Sequence, residues 1–210
     1  MNTQAIEAII DSALEAESAS SDLTELLSAV AARNEQSPDQ ESLDKGVDFV
    51  FEYLRQTPYI IKIAWIAAEQ IGLQNSMQVI LEAVTSYWHQ DDDVIPDSLG
   101  VIGLMDDAYC TLCSLQMVSD QYRILSGKHL FPQNLTAANK AIRQLLGMPY
   151  ASDLDRFVME TLNSARIMSA LQKLADPEKR LHLEAEHTIW NYGSVTDKPS
   201  TLLAGIINNN

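Results

Sequence analysis

Six aspartates lie within seventeen positions near the middle of the chain, in a pattern that could hold a divalent cation. The run Asp91-Asp92-Asp93-Val94-Ile95-Pro96-Asp97 precedes Gly100, Gly103 and the pair Asp106-Asp107, and we call residues 91–107 the acidic turn. Carboxylate oxygens are the ligands that Mg²⁺ and Ca²⁺ take in proteins, and clustered carboxylates without a cation repel one another. The predicted ligands of such a metal site are Asp93, Asp97, Asp106 and Asp107. His89 would be the nearest proton acceptor for a metal-assisted hydrolysis.

A second interpretation, which the sequence favours, is that these aspartates only shape a turn between two helices. Pro96 disfavours helical angles at Ile95 and therefore ends the preceding helix. Asp97 can accept hydrogen bonds from backbone amides just beyond it, and Asp106 or Asp107 gains from the positive end of the next helix. The structural residues of this turn are then Pro96, Gly100 and Gly103. The spacing of the carboxylates is not that of an EF-hand loop.

The acidic turn also carries a family resemblance. The residues concerned are Tyr87, Asp93-Val94-Ile95-Pro96-Asp97, Leu99, Val101-Ile102-Gly103 and Asp106-Asp107. This pattern, over about residues 87–107, resembles the bacterial YkvA-like family, whose signature is an Asp-x-Ile-Pro-Asp turn followed by a glycine and a paired aspartate. The resemblance implies a helical hairpin at about 58–126, no established activity, and peripheral association with membranes. Gly100 replaces a usual proline and Asp91-Asp92 replaces an apolar lead-in, so this copy of the turn is more polar than its relatives.

The pattern of apolar residues predicts an all-α protein. The chain has 210 residues, 46% of them hydrophobic, and its apolar positions repeat with helical spacing almost throughout. Nine helices are predicted, at about 3–17, 22–33, 39–56, 58–72, 76–89, 102–126, 135–146, 153–175 and 177–190. The domains predicted from them are an acidic helical pair at 1–35, a main helical bundle at 36–191 and a flexible or loosely docked tail at 192–210. The pair either packs on the bundle or forms a separate module.

The charge is distributed unevenly along the chain. The formal net charge is -15, but residues 1–120 hold 21 acidic and 4 basic side chains, whereas residues 121–210 hold 8 and 10. Binding to nucleic-acid phosphates or to an anionic membrane depends on lysine and arginine, so the first half is not expected to bind either directly. A protein partner with a basic surface is the more natural complement.

The cysteines and hydropathy predict a cytoplasmic protein. Cys110 and Cys113 lie three apart within a predicted apolar helix, and two core thiols explain them better than a redox or zinc pair. No secretory leader is recognised, and no apolar run reaches the roughly 20 residues that cross a bilayer. His182 and His187 are five apart and do not share a helix face. No serine-histidine-aspartate set or phosphate-binding glycine loop is found.

Several apolar residues are suited either to the core or to a partner. Ile6, Ile10 and Leu14 form a stripe on the first predicted helix, opposite its acidic residues. Trp65 and Trp88 lie on broadly apolar segments near the middle of the chain. Core packing is the commoner role for an amphipathic helix, and an interface is the alternative.

Taken together, these features predict a non-catalytic interaction or regulatory subunit of a bacterial cytoplasmic complex. The partner would contact an acidic surface and exposed helical stripes, and no cofactor other than a divalent cation is expected. One alternative is a metal-dependent enzyme or metal-binding protein centred on the acidic turn. Another is an acidic nucleic-acid mimic that occupies the basic groove of a DNA-binding protein.

Overall fold

The chain folds into helices that pack around one central helix, Leu104–Ser126. The computed structural model describes residues 3–70, 72–89, 94–127, 129–130, 135–178, 202–203 and 205–207. Within these ranges there are eight α-helices and no strand, which confirms the predicted all-α class. The helices are α1 (Gln4–Leu14), α2 (Ala19–Arg33), α3 (Gln40–Gln70), α4 (Gln74–Val84), α5 (Leu104–Ser126), α6 (Thr136–Leu146), α7 (Tyr150–Leu162) and α8 (Ala165–Leu174).

Helix α3 corrects the prediction of separate helices at 39–56 and 58–72. It runs for 31 residues and contains Pro58, which was expected to begin a new helix. Proline removes one backbone hydrogen bond from a helix interior. Leu54, Ile61 and Ala64 on either side are fully buried, and this packing keeps the axis continuous through the proline. Asp39 precedes the helix, and its Oδ1 accepts from the amide of Ser42 at 2.9 Å.

The helix predicted at 153–175 is two helices. Helix α7 ends at Leu162, and Ser164 adopts an extended conformation with φ -108° and ψ 139°. The Oγ atom of Ser164 accepts a hydrogen bond from the amide of Ile167 at 3.2 Å, so it caps α8. Asparagine and serine, found here as Asn163 and Ser164, are common at helix starts. The apolar pattern continues across them, and the prediction therefore placed one helix over both. The helix predicted at 177–190 lies mostly outside the described residues.

Helix α5 is the centre of the bundle. Fifteen of its 23 residues are buried, on all sides of the helix, as expected for a core helix. It contacts α3, α4, α6, α7 and α8. Before it, the chain forms a 3₁₀ turn at Ser86–His89 and a second at Asp97–Ile102. The acidic turn thus connects α4 to the central helix.

The N-terminal pair and the end of the chain share this core. Ile10 of α1 and Leu27 of α2 are buried in the same cluster as the residues of α5. Leu203 and Ile206, near the C-terminus, are fully buried in it as well. Gly46 of α3 allows this approach, because a Cβ atom there would lie 2.8 Å from Cδ1 of Leu27 and 3.1 Å from Cδ1 of Ile206. No helix in the described part of the chain is long and apolar enough to cross a membrane.

Candidate functional site

Asp106 is a buried carboxylate that holds the acidic turn against the central helix. It lies in the first turn of α5 and is fully buried. Its Oδ2 atom accepts from the hydroxyl of Tyr87 at 3.1 Å and from the amide of Ile95 at 3.0 Å. Its Oδ1 atom accepts from the amide of Asp107 at 3.2 Å. Both oxygens are therefore engaged by donors of the protein itself.

Tyr87 extends the same network to the other side of the turn. Its hydroxyl accepts from the amide of Val94 at 2.9 Å while it donates to Asp106. Burial raises the pKa of Tyr87 well above its ordinary value; the hydrogen bond from Val94 opposes this rise, and the nearby Asp106 adds to it. The phenol of Tyr87 is consequently neutral near pH 7 and can donate its hydrogen bond to Asp106. One carboxylate and one phenol thus fix the backbone of residues 94 and 95.

Trp88 belongs to a second tie between the turn and α5. Its indole Nε1 donates to Oγ1 of Thr111 at 2.9 Å, and Oγ1 of Thr111 donates to the carbonyl of Val84 at 3.1 Å. Trp88 is half-buried and packs on the core. Trp65, the other aromatic residue of the predicted interface, is also half-buried against the core.

The four predicted metal ligands are only partly described. Asp106 and Asp107 are both buried, at 0% and 3% exposure. Asp93 lies outside the described residues, as do the side chains of Asp97 and His89. Among the side chains that the structure describes, no three of the histidine, cysteine, aspartate or glutamate type are grouped to hold a metal ion. The hydrogen bonds of Asp106 support the structural interpretation of the turn, and the metal site stays a prediction.

The three residues expected to shape the turn occupy distinct conformations. Pro96 is extended, with φ -60° and ψ 132°. Gly100 has φ 62° and ψ -127°, a conformation that side chains rarely tolerate, so glycine is required there. Gly103 is buried and directly precedes α5, with φ -63°. The chain kinks at Gly100 and enters the central helix after Gly103.

The apolar stripe of α1 packs inward. Ile6 and Ile10 are buried in the core, and Leu14 is half-buried against it. In the structure these residues pack in or against the core, which is the commoner of the two roles considered for this stripe. Two apolar residues nearby, Ile9 and Leu99, are exposed.

An ion-pair network that the sequence did not indicate connects α5, α6 and α7. Nε and Nη2 of Arg143 donate to Oδ2 of Asp155 at 2.8 and 2.7 Å. The hydroxyl of Tyr109 donates to Oδ1 of the same carboxylate at 2.6 Å. Burial raises the pKa of the neighbouring Cys113 to about 11, and it raises the pKa of the buried Cys110 further. Both thiols are therefore neutral core groups near pH 7.

Arg33 and Arg143 line one cavity of about 380 Å³. Arg33 is the last residue of α2 and Arg143 lies in the last turn of α6. Gly147, with φ 71°, leaves room for the guanidinium group of Arg33, because a Cβ atom there would lie 3.0 Å from both of its terminal nitrogens. A basic residue in a last helical turn is ordinary, so the sequence offered little signal for this site.

The acidic surface is most regular on α3. Residues 3–70 carry 13 acidic and 4 basic side chains. Glu41, Asp44 and Asp48 are exposed and Glu52 is half-buried, and their spacing of three or four residues places them on one helix face. Lys45 forms an ion pair with Glu41 at 2.6 Å, whereas Asp48 has no ion pair in the described part of the chain. We call these four acidic residues the α3 carboxylate row.

Comparison of the chain with protein-family models, with curated proteins and with solved structures found no match. The resemblance of residues 87–107 to the YkvA-like family therefore rests on those residues alone and stays a prediction.

Proposed function

We propose that this protein is a non-catalytic interaction subunit of a bacterial cytoplasmic complex, and that it binds a basic partner through its acidic N-terminal half. The observation that carries the proposal is the α3 carboxylate row. Successive carboxylates at Asp44, Asp48 and Glu52 follow one another by one helical turn, or about 6 Å along the axis. A partner with lysines or arginines at matching intervals would be attracted to this row and oriented by it.

Within the described part of the chain, the charge of the row is only partly compensated. Lys45 pairs with Glu41, but both side chains are exposed, and such pairs contribute little to stability. Arg55 lies over the ring of Phe51, 5.8 Å from its centroid. The remaining negative charge is available to a partner, and association driven by it weakens with salt.

The buried Asp106 of the acidic turn supports the non-catalytic part of the proposal. Asp106 uses both oxygens to hold Tyr87 and the backbone at Ile95, which is a structural task. The rigid turn would then serve to position α4 and α5, as in the helical hairpin that the YkvA-like resemblance implies. Under this proposal the aspartates of the turn are conformational residues.

A pull-down from the native host with three baits tests the proposal. The baits are the wild type, Asp44→Lys/Asp48→Lys, and the control Glu69→Lys/Glu160→Lys, whose sites are exposed and lie outside the row. Both double variants change the net charge equally. A partner retained by the control and lost by the row variant supports the proposal, and its binding should weaken between low and moderate salt. Identical partner sets for all three baits would contradict it.

The regular spacing of the row also favours a second candidate, nucleic-acid mimicry. In that case the carboxylates occupy a groove that normally holds DNA phosphates, and the partner is a DNA-binding protein. Duplex DNA added to the captured complex should then displace the partner from the wild-type bait. A partner that binds DNA and this protein at the same time would exclude mimicry and leave the interaction subunit as the function.

A further inference from the structure

The cavity at Arg33 and Arg143 is unlike the rest of the surface. The whole chain has 29 acidic and 14 basic side chains, yet the described residues that line this cavity include two arginines and no acidic residue. Its volume of about 380 Å³ falls within the range of small-ligand sites. The cavity is lined by basic side chains whereas the α3 carboxylate row is acidic, and no residue belongs to both sites.

Arg33 has no charged partner within the described part of the chain. Within the described part of the chain it forms no hydrogen bond and no ion pair with a side chain. Its guanidinium group lies against the backbone at Gly147, where the missing side chain and the φ of 71° leave room for it. The guanidinium group of Arg33 thus lies beside the backbone of Gly147.

Arg143 is held in a defined orientation. Asp155 accepts from Nε and Nη2, and the carboxylate is in turn fixed by the hydroxyl of Tyr109. Neither hydrogen bond to Asp155 uses Nη1. A guanidinium with one edge fixed in this way presents its remaining donors without further loss of side-chain freedom.

The position of α7 adds to the positive potential. Ala151, in the first turn of α7, lines the same cavity, and the first turn of a helix carries a partial positive charge. An arginine in the last turn of α2 or α6 would be explained by that helix's own carbonyl groups. The convergence of both arginines on one cavity without an acidic lining residue is not explained in that way.

We propose that this cavity binds the phosphate group of a small phosphomonoester, with Arg33 and Arg143 as the binding residues. Guanidinium groups match the geometry of phosphate oxygens, and three terminal oxygens can accept from both arginines at once. The cavity is larger than a phosphate ion and has room for an organic part of the ligand. Met148, which lines the cavity and is 66% exposed, would contact that part.

Calorimetric titration of phenyl phosphate into the full chain at low salt tests this proposal. We expect a dissociation constant of about 1 mM or tighter for the wild type. Arg33→Gln should weaken binding about tenfold, since it removes charge-assisted hydrogen bonds. The control Arg123→Gln makes the same charge change in the last turn of α5, at an exposed site outside the cavity, and should leave the affinity unchanged.

One further variant and one further ligand test whether the planar guanidinium group and the phosphate are each required for binding. Arg33→Lys keeps the charge and loses the planar fork, so its affinity should fall between those of the wild type and Arg33→Gln. Benzoate replaces the phosphate by a carboxylate and should bind more weakly than phenyl phosphate. Absence of binding to the wild type, equal weakening in the Arg33 and Arg123 variants, or benzoate binding as tight as phenyl phosphate would each overturn the proposal. Thermal melting of every variant confirms that the fold is retained.

Discussion

Replacement of Asp106 by asparagine should test whether the buried carboxylate is a structural residue of the turn. The side chain accepts from Tyr87, from the amide of Ile95 and from the amide of Asp107. Asparagine has the same shape but presents an NH₂ group in place of one oxygen. That group cannot accept, so at least one buried donor loses its partner whichever way the amide is turned.

The expected loss follows from these contacts. A hydrogen bond to a charged group contributes about 1.5–3 kcal/mol, and a buried donor left without a partner adds to the cost. Asp106→Asn should therefore lower the free energy of unfolding by about 2–4 kcal/mol. A folded domain is stable by about 5–15 kcal/mol, so the variant remains folded and measurable. Its melting temperature should fall by roughly 5–12 °C.

Urea unfolding followed by circular dichroism measures this loss of unfolding free energy. A double-mutant cycle with Tyr87 then tests whether the loss comes from the hydrogen bonds of the turn. Tyr87→Phe should cost about 1–2 kcal/mol, since it removes the hydroxyl that joins Val94 to Asp106. The double variant should lose less than the sum of the two, with a coupling of about 1 kcal/mol. Asp120→Asn, whose side chain is 44% exposed in a later turn of the same helix, is the matched control and should stay within about 0.5 kcal/mol of wild type.

Two results would refute this reasoning. Asp106→Asn with wild-type stability would show that the three hydrogen bonds contribute nothing net. Strictly additive effects of Asp106→Asn and Tyr87→Phe would show that the two groups do not act together. Thermal melting with and without millimolar Mg²⁺, Mn²⁺ or Ca²⁺ distinguishes a metal site from a purely structural turn. A bound cation would raise the melting temperature of the wild type and not that of Asp106→Asn.

Three further predictions concern the core. Thr57→Val should raise the free energy of unfolding by about 1 kcal/mol in urea, because the threonine hydroxyl is fully buried without a hydrogen-bond partner in the described part of the chain. Gly46→Leu should lower it by about 1–3 kcal/mol and speed proteolysis near the C-terminus, because the new side chain would overlap Leu27 and Ile206. The thiol of Cys113, with its pKa raised from 9.0 to about 11, should react with Ellman's reagent far more slowly in the native protein than in urea at pH 8. The same shift contributes stability that is complete below pH 9.0 and is lost as the pH rises through about 11, because only the unfolded thiol loses its proton in that interval.

Each of these has a result that contradicts it. A destabilised Thr57→Val variant would mean that the hydroxyl has a partner after all. Unchanged proteolysis of Gly46→Leu would mean that the C-terminal residues are not held against α3. Equal thiol reactivity in the native and unfolded protein would contradict the burial of Cys113, and a constant unfolding free energy between pH 9 and 11 would contradict its raised pKa.

Much of the local structure could be predicted because it depends on neighbouring residues. The helical class follows from the spacing of apolar positions, and the ends of α2, α5 and α6 were predicted closely. Pro58 and the break at Ser164 were predicted incorrectly. In the first case packing of buried neighbours outweighs the missing backbone bond, and in the second a capping hydroxyl ends a pattern that stays apolar across it.

The sequence by itself thus determined the helical class, the uneven charge and the position of the acidic turn, since each is a property of composition or of short-range spacing. The tertiary structure decided which carboxylates are buried, that Ile6 and Ile10 face the core, and that Arg33 and Arg143, 110 positions apart, line one cavity. It also decided that Gly147 leaves room for the guanidinium group of Arg33. Such contacts depend on how helices cross in space, and the spacing of residues along one helix carries no information about that crossing.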